Sequence, residues 1–66
     1  MKRSESQNMR IIRAMKQVTA DEIEAEQAEA GVLKFRAEFQ LHVARNMLTM
    51  WMTLTPREYR LKMNAG

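Results

Sequence analysis

The segment from Val32 to Leu54 constrains the fold most, because its apolar residues spread too widely around a helix to be buried by one short chain. Projected as a helix, they cover about 200° of the circumference, whereas a surface helix usually shows an apolar stripe of roughly 100°. The chain has 66 residues. Chains of this length bury only about 60% of their unfolded surface. The sequence therefore predicts that this helix packs on a second copy or on another protein.

The large apolar residues of this segment are the predicted contacts with that partner, because aromatic and flexible apolar side chains dominate binding energy. The predicted partner-binding residues are Phe39, Val43, Met47, Met50, Trp51 and Leu54. Trp51 lies near the midline of the apolar arc, so we expect it to be buried in the functional assembly. Seven methionines in the chain favour an adaptable surface.

The chain contains no cysteine and a single histidine, which excludes disulfides and disfavours a structural zinc site. Small chains without disulfides or metals rely on strong helix packing or on self-association, and we expect one of these to provide the stability here. We expect no cofactor, and a homo-oligomer, a protein partner or both.

The sequence predicts an all-α fold, since it has two glycines, one proline and few β-branched runs. Three capping boxes mark helix starts, at Ser4, Thr19 and Thr55, and the third is reinforced by Pro56 at the first helical position. A single domain over residues 1–66 is expected, either a helical hairpin or a small bundle completed by self-association. The predicted helices are 5–18, 20–54 with a break at Gly31 left open, and 56–64. Continuity through Gly31, or a mild kink there, is slightly favoured, because no other loop-forming residue accompanies it.

Charge is arranged in three blocks rather than spread evenly. Residues 1–18 carry a balance of +4, residues 19–31 a balance of −5, and residues 32–66 again +4. This layout is not that of a uniformly basic nucleic-acid binder. We expect the acidic block at 21–29 to lie near a basic segment, within the chain or between chains.

The first predicted helix is basic and amphipathic, with Ile11, Ile12, Met15 and Val18 clustered on one face. An ordinary core helix with a solvated basic face is the favoured interpretation. The alternative from another class is a small dimeric nucleic-acid-binding regulator, and its candidate residues are Arg3, Arg10, Arg13, Lys16, Arg57, Arg60 and Lys62. Association with a membrane surface is a less favoured third alternative. A cytoplasmic location is expected, because no secretory signal or membrane-spanning run is visible.

An enzyme is not expected. His42 follows Glu38 by one helical turn, but such a pair is an ordinary helix-stabilising contact on a polar face. The chain has no cysteine nucleophile, no phosphate-binding glycine loop and no paired carboxylates in an apolar setting.

The string "LTPREYRL", from Leu54 to Leu61, resembles the helix entry of the response-regulator winged-helix family. In that family the recognition helix follows some twenty residues later, after a glycine turn. Eleven residues follow Thr55 here, so we expect a short, well-capped helix and no winged helix.

A second resemblance involves an aromatic residue followed by a Leu-Thr-Pro-x-Glu helix start. The residues that carry it are Trp51, Leu54, Thr55, Pro56, Glu58 and Tyr59. This pattern is similar to that of the tail assembly chaperones of tailed bacteriophages, over about nine residues. The resemblance implies a non-enzymatic, phage-encoded helical protein that binds another phage protein during assembly.

Overall fold

The computed structural model describes residues 2–65, and this part of the chain consists of three helices and contains no strand. Helix α1 spans Glu5–Gln27, α2 spans Val32–Thr53 and α3 spans Pro56–Ala65. Helices α1 and α2 form an antiparallel hairpin, in which the first turn of α1 contacts the last turn of α2. The molecule is elongated, with extents of 43 × 19 × 15 Å. The predicted all-α class and helical hairpin are confirmed.

The predicted boundary between residues 18 and 20 is wrong, because α1 continues without interruption to Gln27. Thr19 does not cap a helix: its Oγ1 donates to the carbonyl oxygen of Met15 at 3.1 Å, as a threonine inside a helix can. The residues that follow keep the spacing of the buried stripe, with Asp21 and Ala25 buried one and two turns beyond Val18. Packing along the hairpin therefore outweighs the local capping signal.

The favoured continuity through Gly31 is also wrong. The backbone of Gly31 has φ +103° and ψ −150°, a conformation that residues with a side chain rarely adopt, and α2 begins at the next residue. Breaking the helix there lets α2 fold back on α1. Glycine inside a straight helix would have cost only about 1 kcal/mol in local propensity, so burial of the two facing stripes decides the conformation.

The two helices meet along stripes with alternating spacings of three and four residues, the pattern of a coiled-coil seam. On α1 and its C-cap residue the stripe consists of Gln7, Ile11, Ala14, Val18, Asp21, Ala25 and the C-cap itself, Ala28. On α2 it consists of Lys34, Ala37, Leu41, Ala44, Leu48 and Trp51. Of the four residues predicted to form the apolar face of the first helix, only two belong to this stripe. Ile11 and Val18 are buried, whereas Ile12 and Met15 are 43% and 52% exposed.

Gln7 closes the open end of the hairpin and is its most deeply buried side chain. Its Nε2 donates to the carbonyl oxygens of Trp51, at 3.1 Å, and Leu54, at 2.8 Å. The Arg3 guanidinium donates to the carbonyl oxygen of Met52 at 2.8 Å. These carbonyls belong to the last turn of α2 and its C-cap residue Leu54, where carbonyl groups lack intrahelical partners. The start of α1 therefore caps the end of α2 through side chains.

Helix α3 is held to the hairpin by Tyr59, which is buried. Its ring packs edge-on against Trp51, with centroids 5.9 Å apart, and its hydroxyl is hydrogen-bonded to Ser6 Oγ at 2.8 Å. The predicted capping box forms in full. The Thr55 N–H donates to Glu58 Oε1 at 3.0 Å, and the Glu58 N–H donates to Thr55 Oγ1 at 3.2 Å. The first of these bonds holds the pKa of Glu58 below its ordinary value of 4.5.

Replacing Gln7 by alanine should destabilise the hairpin, because it removes hydrogen bonds from two carbonyls at the C-terminal end of α2, one buried and one partly buried. We expect a loss of about 1–2 kcal/mol in the free energy of unfolding, because the truncation leaves these carbonyls without a partner. The side-chain oxygen of Gln7 adds nothing to the loss, because Oε1 has no hydrogen-bond partner among residues 2–65. Urea unfolding followed by circular dichroism measures it. Asn8→Ala, on the exposed side of the same turn, is the matched control. Equal stability of the two variants would contradict the capping role of Gln7.

Candidate protein interface

The two sides of the hairpin differ in character, and one of them is polar. The ion pairs found among residues 2–65 both lie here, Lys34–Glu38 and Arg45–Glu22, each at 3.9 Å. In the second pair one acid of the block at 21–29 lies beside a single base of α2, and the expected contact of the whole block with a basic segment stays a prediction. His42 also lies on this side, where its Nε2 is 3.2 Å from Asn46 Nδ2. No group of three or more metal-ligating side chains occurs in the described part of the chain.

The opposite side carries an open groove between α1 and α2, with a volume of about 760 Å³. Its α2 wall is apolar, with Phe39, Val43 and Met47 spaced four residues apart and therefore one turn apart along the helix. These side chains are 60%, 42% and 45% exposed. The groove therefore presents a row of large apolar groups that the single chain does not cover.

The α1 wall of the groove is charged, with opposite signs at its two ends. Arg10 and Arg13 line the end near Trp51, and Asp21 and Glu24 line the end near the hairpin turn. The Arg10 guanidinium lies 4.9 Å from the centre of the Trp51 ring, a cation–π contact. None of the four charges takes part in an ion pair within residues 2–65.

Asp21 is the unusual member of this set, because it is a carboxylate within the buried stripe of α1. It is 7% exposed, and its Oδ1 accepts a hydrogen bond from Gln17 Nε2 at 3.0 Å. A buried carboxylate without a cation is costly in free energy. The acidic end of the groove is therefore a place where a positive group from outside would be stabilising.

The six predicted partner-binding residues divide into two groups. Phe39, Val43 and Met47 lie exposed in the groove, as a partner contact requires. Trp51 is only 6% exposed and packs in a cluster with Ile11 and Tyr59. Its own chain covers it, although the sequence interpretation assigned that role to a partner.

The other two members, Met50 and Leu54, are half-buried and pack against the same cluster. Arg10 and Arg13 were predicted as nucleic-acid contacts, and Asp21 and Glu24 as part of the acidic block, but these four residues were not predicted to share one groove. The signal that could have revealed them is the three-and-four spacing of Gln7, Ile11, Ala14 and Val18, which fixes the side of α1 that faces α2. Once that side is known, the helical periodicity of α1 places the four groove charges beside it, namely Arg10, Arg13, Asp21 and Glu24.

The bases predicted for nucleic-acid binding gather at one end of the molecule, because the Ser6–Tyr59 hydrogen bond joins the start of α1 to α3. Residues 2–18 and 55–65 together hold eight bases and two acids. Residues 19–38 hold six acids and two bases, at the other end. Two of the candidate residues have partners in their own chain, Arg3 on the Met52 carbonyl and Arg10 on the Trp51 ring.

Within residues 2–65, no helix combines the length and the apolar content needed to cross a membrane. No family model matches the chain, and no match was found among curated proteins or solved structures.

The division between groove and core predicts different effects of truncating two aromatic residues. Phe39→Ala should change the free energy of unfolding by no more than about 0.5 kcal/mol, as expected for an exposed side chain. Trp51→Ala should cost about 3–5 kcal/mol, because it empties the cluster that holds α3. Urea unfolding in dilute solution measures both. A large loss for Phe39→Ala, or a negligible one for Trp51→Ala, would show that the roles of these residues are reversed.

Proposed function

We propose that the protein is a non-enzymatic helical interaction protein, acting in assembly or regulation, that binds a protein surface with the groove side of α2. The observation that carries this proposal is the row formed by Phe39, Val43 and Met47. These three exposed side chains line one groove, whereas the surface between the helices on the opposite side is lined mostly by charged residues and carries both ion pairs.

An exposed apolar row of this kind is typical of an interaction site, since contiguous apolar patches on soluble proteins mark binding surfaces. Phe39 supplies a large anchor of the type that dominates binding energy. Met47 adds a flexible side chain that adapts to different partner shapes. The charges of α1 border this row and give a partner a polar rim to match in sign.

The resemblance of Trp51–Tyr59 to the tail assembly chaperones of tailed bacteriophages makes phage assembly our proposed setting. The physical role of these nine residues is compatible with that setting. They form the turn between α2 and α3 and hold the α3 cap through Thr55 and Glu58. In this proposal the segment orients α3, and binding itself takes place on the groove side of α2.

Site-specific photocrosslinking tests the proposed function. A benzophenone amino acid replaces Phe39 in the full chain, and Arg45, on the same helix and in the ion pair of the polar side, is the matched control position. We expect protein adducts from position 39, with a second copy or with another protein, and few from position 45. Equal yields at the two positions, or no adduct at position 39, would contradict binding through the groove.

Nucleic-acid binding is the second candidate, and the eight bases at one end of the molecule favour it. Arg57, Arg60 and Lys62 lie on α3 and are exposed there. If they contact phosphates, affinity for duplex or single-stranded DNA should fall steeply with salt and should decrease in Arg57→Ala/Arg60→Ala. Arg36→Ala, at the acidic end, is the control. No change in fluorescence anisotropy at about 50 mM salt would remove this candidate.

A further inference from the structure

We propose that the occupant of the groove is a second copy of this chain, related to the first by a two-fold axis perpendicular to the helices. In this arrangement α1 packs antiparallel to α1 of the second copy, and α2 packs antiparallel to α2. The inference rests on the proposed function, since it requires that the groove bind protein. It adds the identity of the partner and the register of contact.

The spacing of the charges on α1 supports this axis. Arg10 precedes Asp21 by eleven residues, and Arg13 precedes Glu24 by the same interval, about 16 Å along the helix. A two-fold rotation about the level of Gln17 therefore places Arg10 opposite Glu24 of the second copy and Arg13 opposite Asp21. By symmetry each pairing occurs twice, so four charges of each chain that lack ion pairs become matched.

The apolar row on α2 obeys the same axis. Rotation about the point midway between Val43 and Met47 exchanges these two residues, so each faces the other across the interface. It also places Phe39 at the level of Trp51 of the second copy, where the Arg10 guanidinium covers the indole ring. Gln17 on α1 and Ala44 on α2 both line the groove between its charged ends. One axis thus serves both helices.

Asp21 gives an independent reason for a cation from outside the chain. Its carboxylate is buried, it accepts a hydrogen bond from Gln17, and it has no ion-pair partner within residues 2–65. In the proposed dimer, Arg13 of the second copy approaches it from across the groove. A nucleic acid cannot do the same, because its phosphates would be repelled by Asp21 and Glu24.

The groove side also has enough area for a stable dimer interface. A stable dimer commonly buries about 800 Å² on each partner. A flat face of 43 × 19 Å offers an area on the order of 800 Å², the size that a standard interface requires. The resulting assembly is a bundle of four helices in which all neighbours are antiparallel, an arrangement that packs well around one core. The charge asymmetry along the molecule is neutralised as well, since the basic end of one copy lies beside the acidic end of the other.

Sedimentation equilibrium of the full chain and three variants tests the pairing. Glu24→Arg places like charges opposite Arg10 twice per dimer, so the dissociation constant of the dimer should rise about tenfold or more. Glu26→Arg changes the net charge equally but lies on the polar side of α1, and it should leave the constant nearly unchanged. Arg10→Glu combined with Glu24→Arg should restore dimerisation, and urea unfolding verifies that each variant is folded. A monomeric wild-type chain, or equal effects of Glu24→Arg and Glu26→Arg, would overturn the inference.

Disulfide trapping tests the register, and no other disulfide can compete because the chain has no cysteine of its own. Val43→Cys mixed with Met47→Cys should give a disulfide that joins one copy of each variant. Phe39→Cys should not join to itself, because the two-fold axis separates the equivalent residues by roughly 18 Å along the helix, beyond the roughly 4.4–6.8 Å between Cα atoms that a disulfide spans. Ready self-linkage of Phe39→Cys would indicate a parallel dimer and overturn the proposal.

The outcomes of these experiments separate the two proposals. Crosslinks from position 39 to another protein, with a monomeric chain in sedimentation, would overturn the dimer and leave the proposed function standing. No adduct from position 39 and no dimer would overturn both.

Discussion

The narrow seam between α1 and α2 determines the rest of this structure. Alanines occupy many of its positions, among them Ala14, Ala25, Ala37 and Ala44, so the helices can lie close together while burying little apolar surface. Polar side chains close the seam at both ends. Gln7 caps the last turn of α2, and Lys34 Nζ donates to the carbonyl oxygen of Ala25, near the end of α1, at 2.8 Å. The seam therefore specifies the hairpin but does not cover Phe39, Val43 and Met47.

That division explains why the large residues of α2 have different roles although they lie on one helix. Trp51 faces the open end, where Ile11 and Tyr59 cover it and α3 completes the cluster. Phe39, Val43 and Met47 face away from the alanine-lined seam and remain exposed. Because the same groove has a basic end and an acidic end, its charge pattern matches a second copy in antiparallel orientation. The proposed dimer then buries what the single chain cannot.

The helical class, the cap at Thr55 and the excess of apolar surface on α2 could be predicted from the sequence, because each depends on local chemistry or on periodicity within one helix. The break at Gly31 and the continuity through Thr19 could not. Both depend on which conformation buries the facing stripes, and that comparison involves contacts between residues distant in the chain. The same limit applies to Trp51: its position on the apolar arc predicted burial, but only the tertiary structure shows that Tyr59 and Ile11, rather than a partner, provide it.

The central claim is that Trp51 is covered by its own chain whereas the groove residues are covered by association. Relaxation of side-chain NMR signals by a soluble paramagnetic probe tests it on the unmodified protein across a range of concentrations. We predict that the Trp51 and Tyr59 rings are protected at every concentration, and that Phe39 and Val43 pass from accessible to protected as concentration rises. Phe39 and Val43 equally accessible throughout, or Trp51 accessible in dilute solution, would contradict the account.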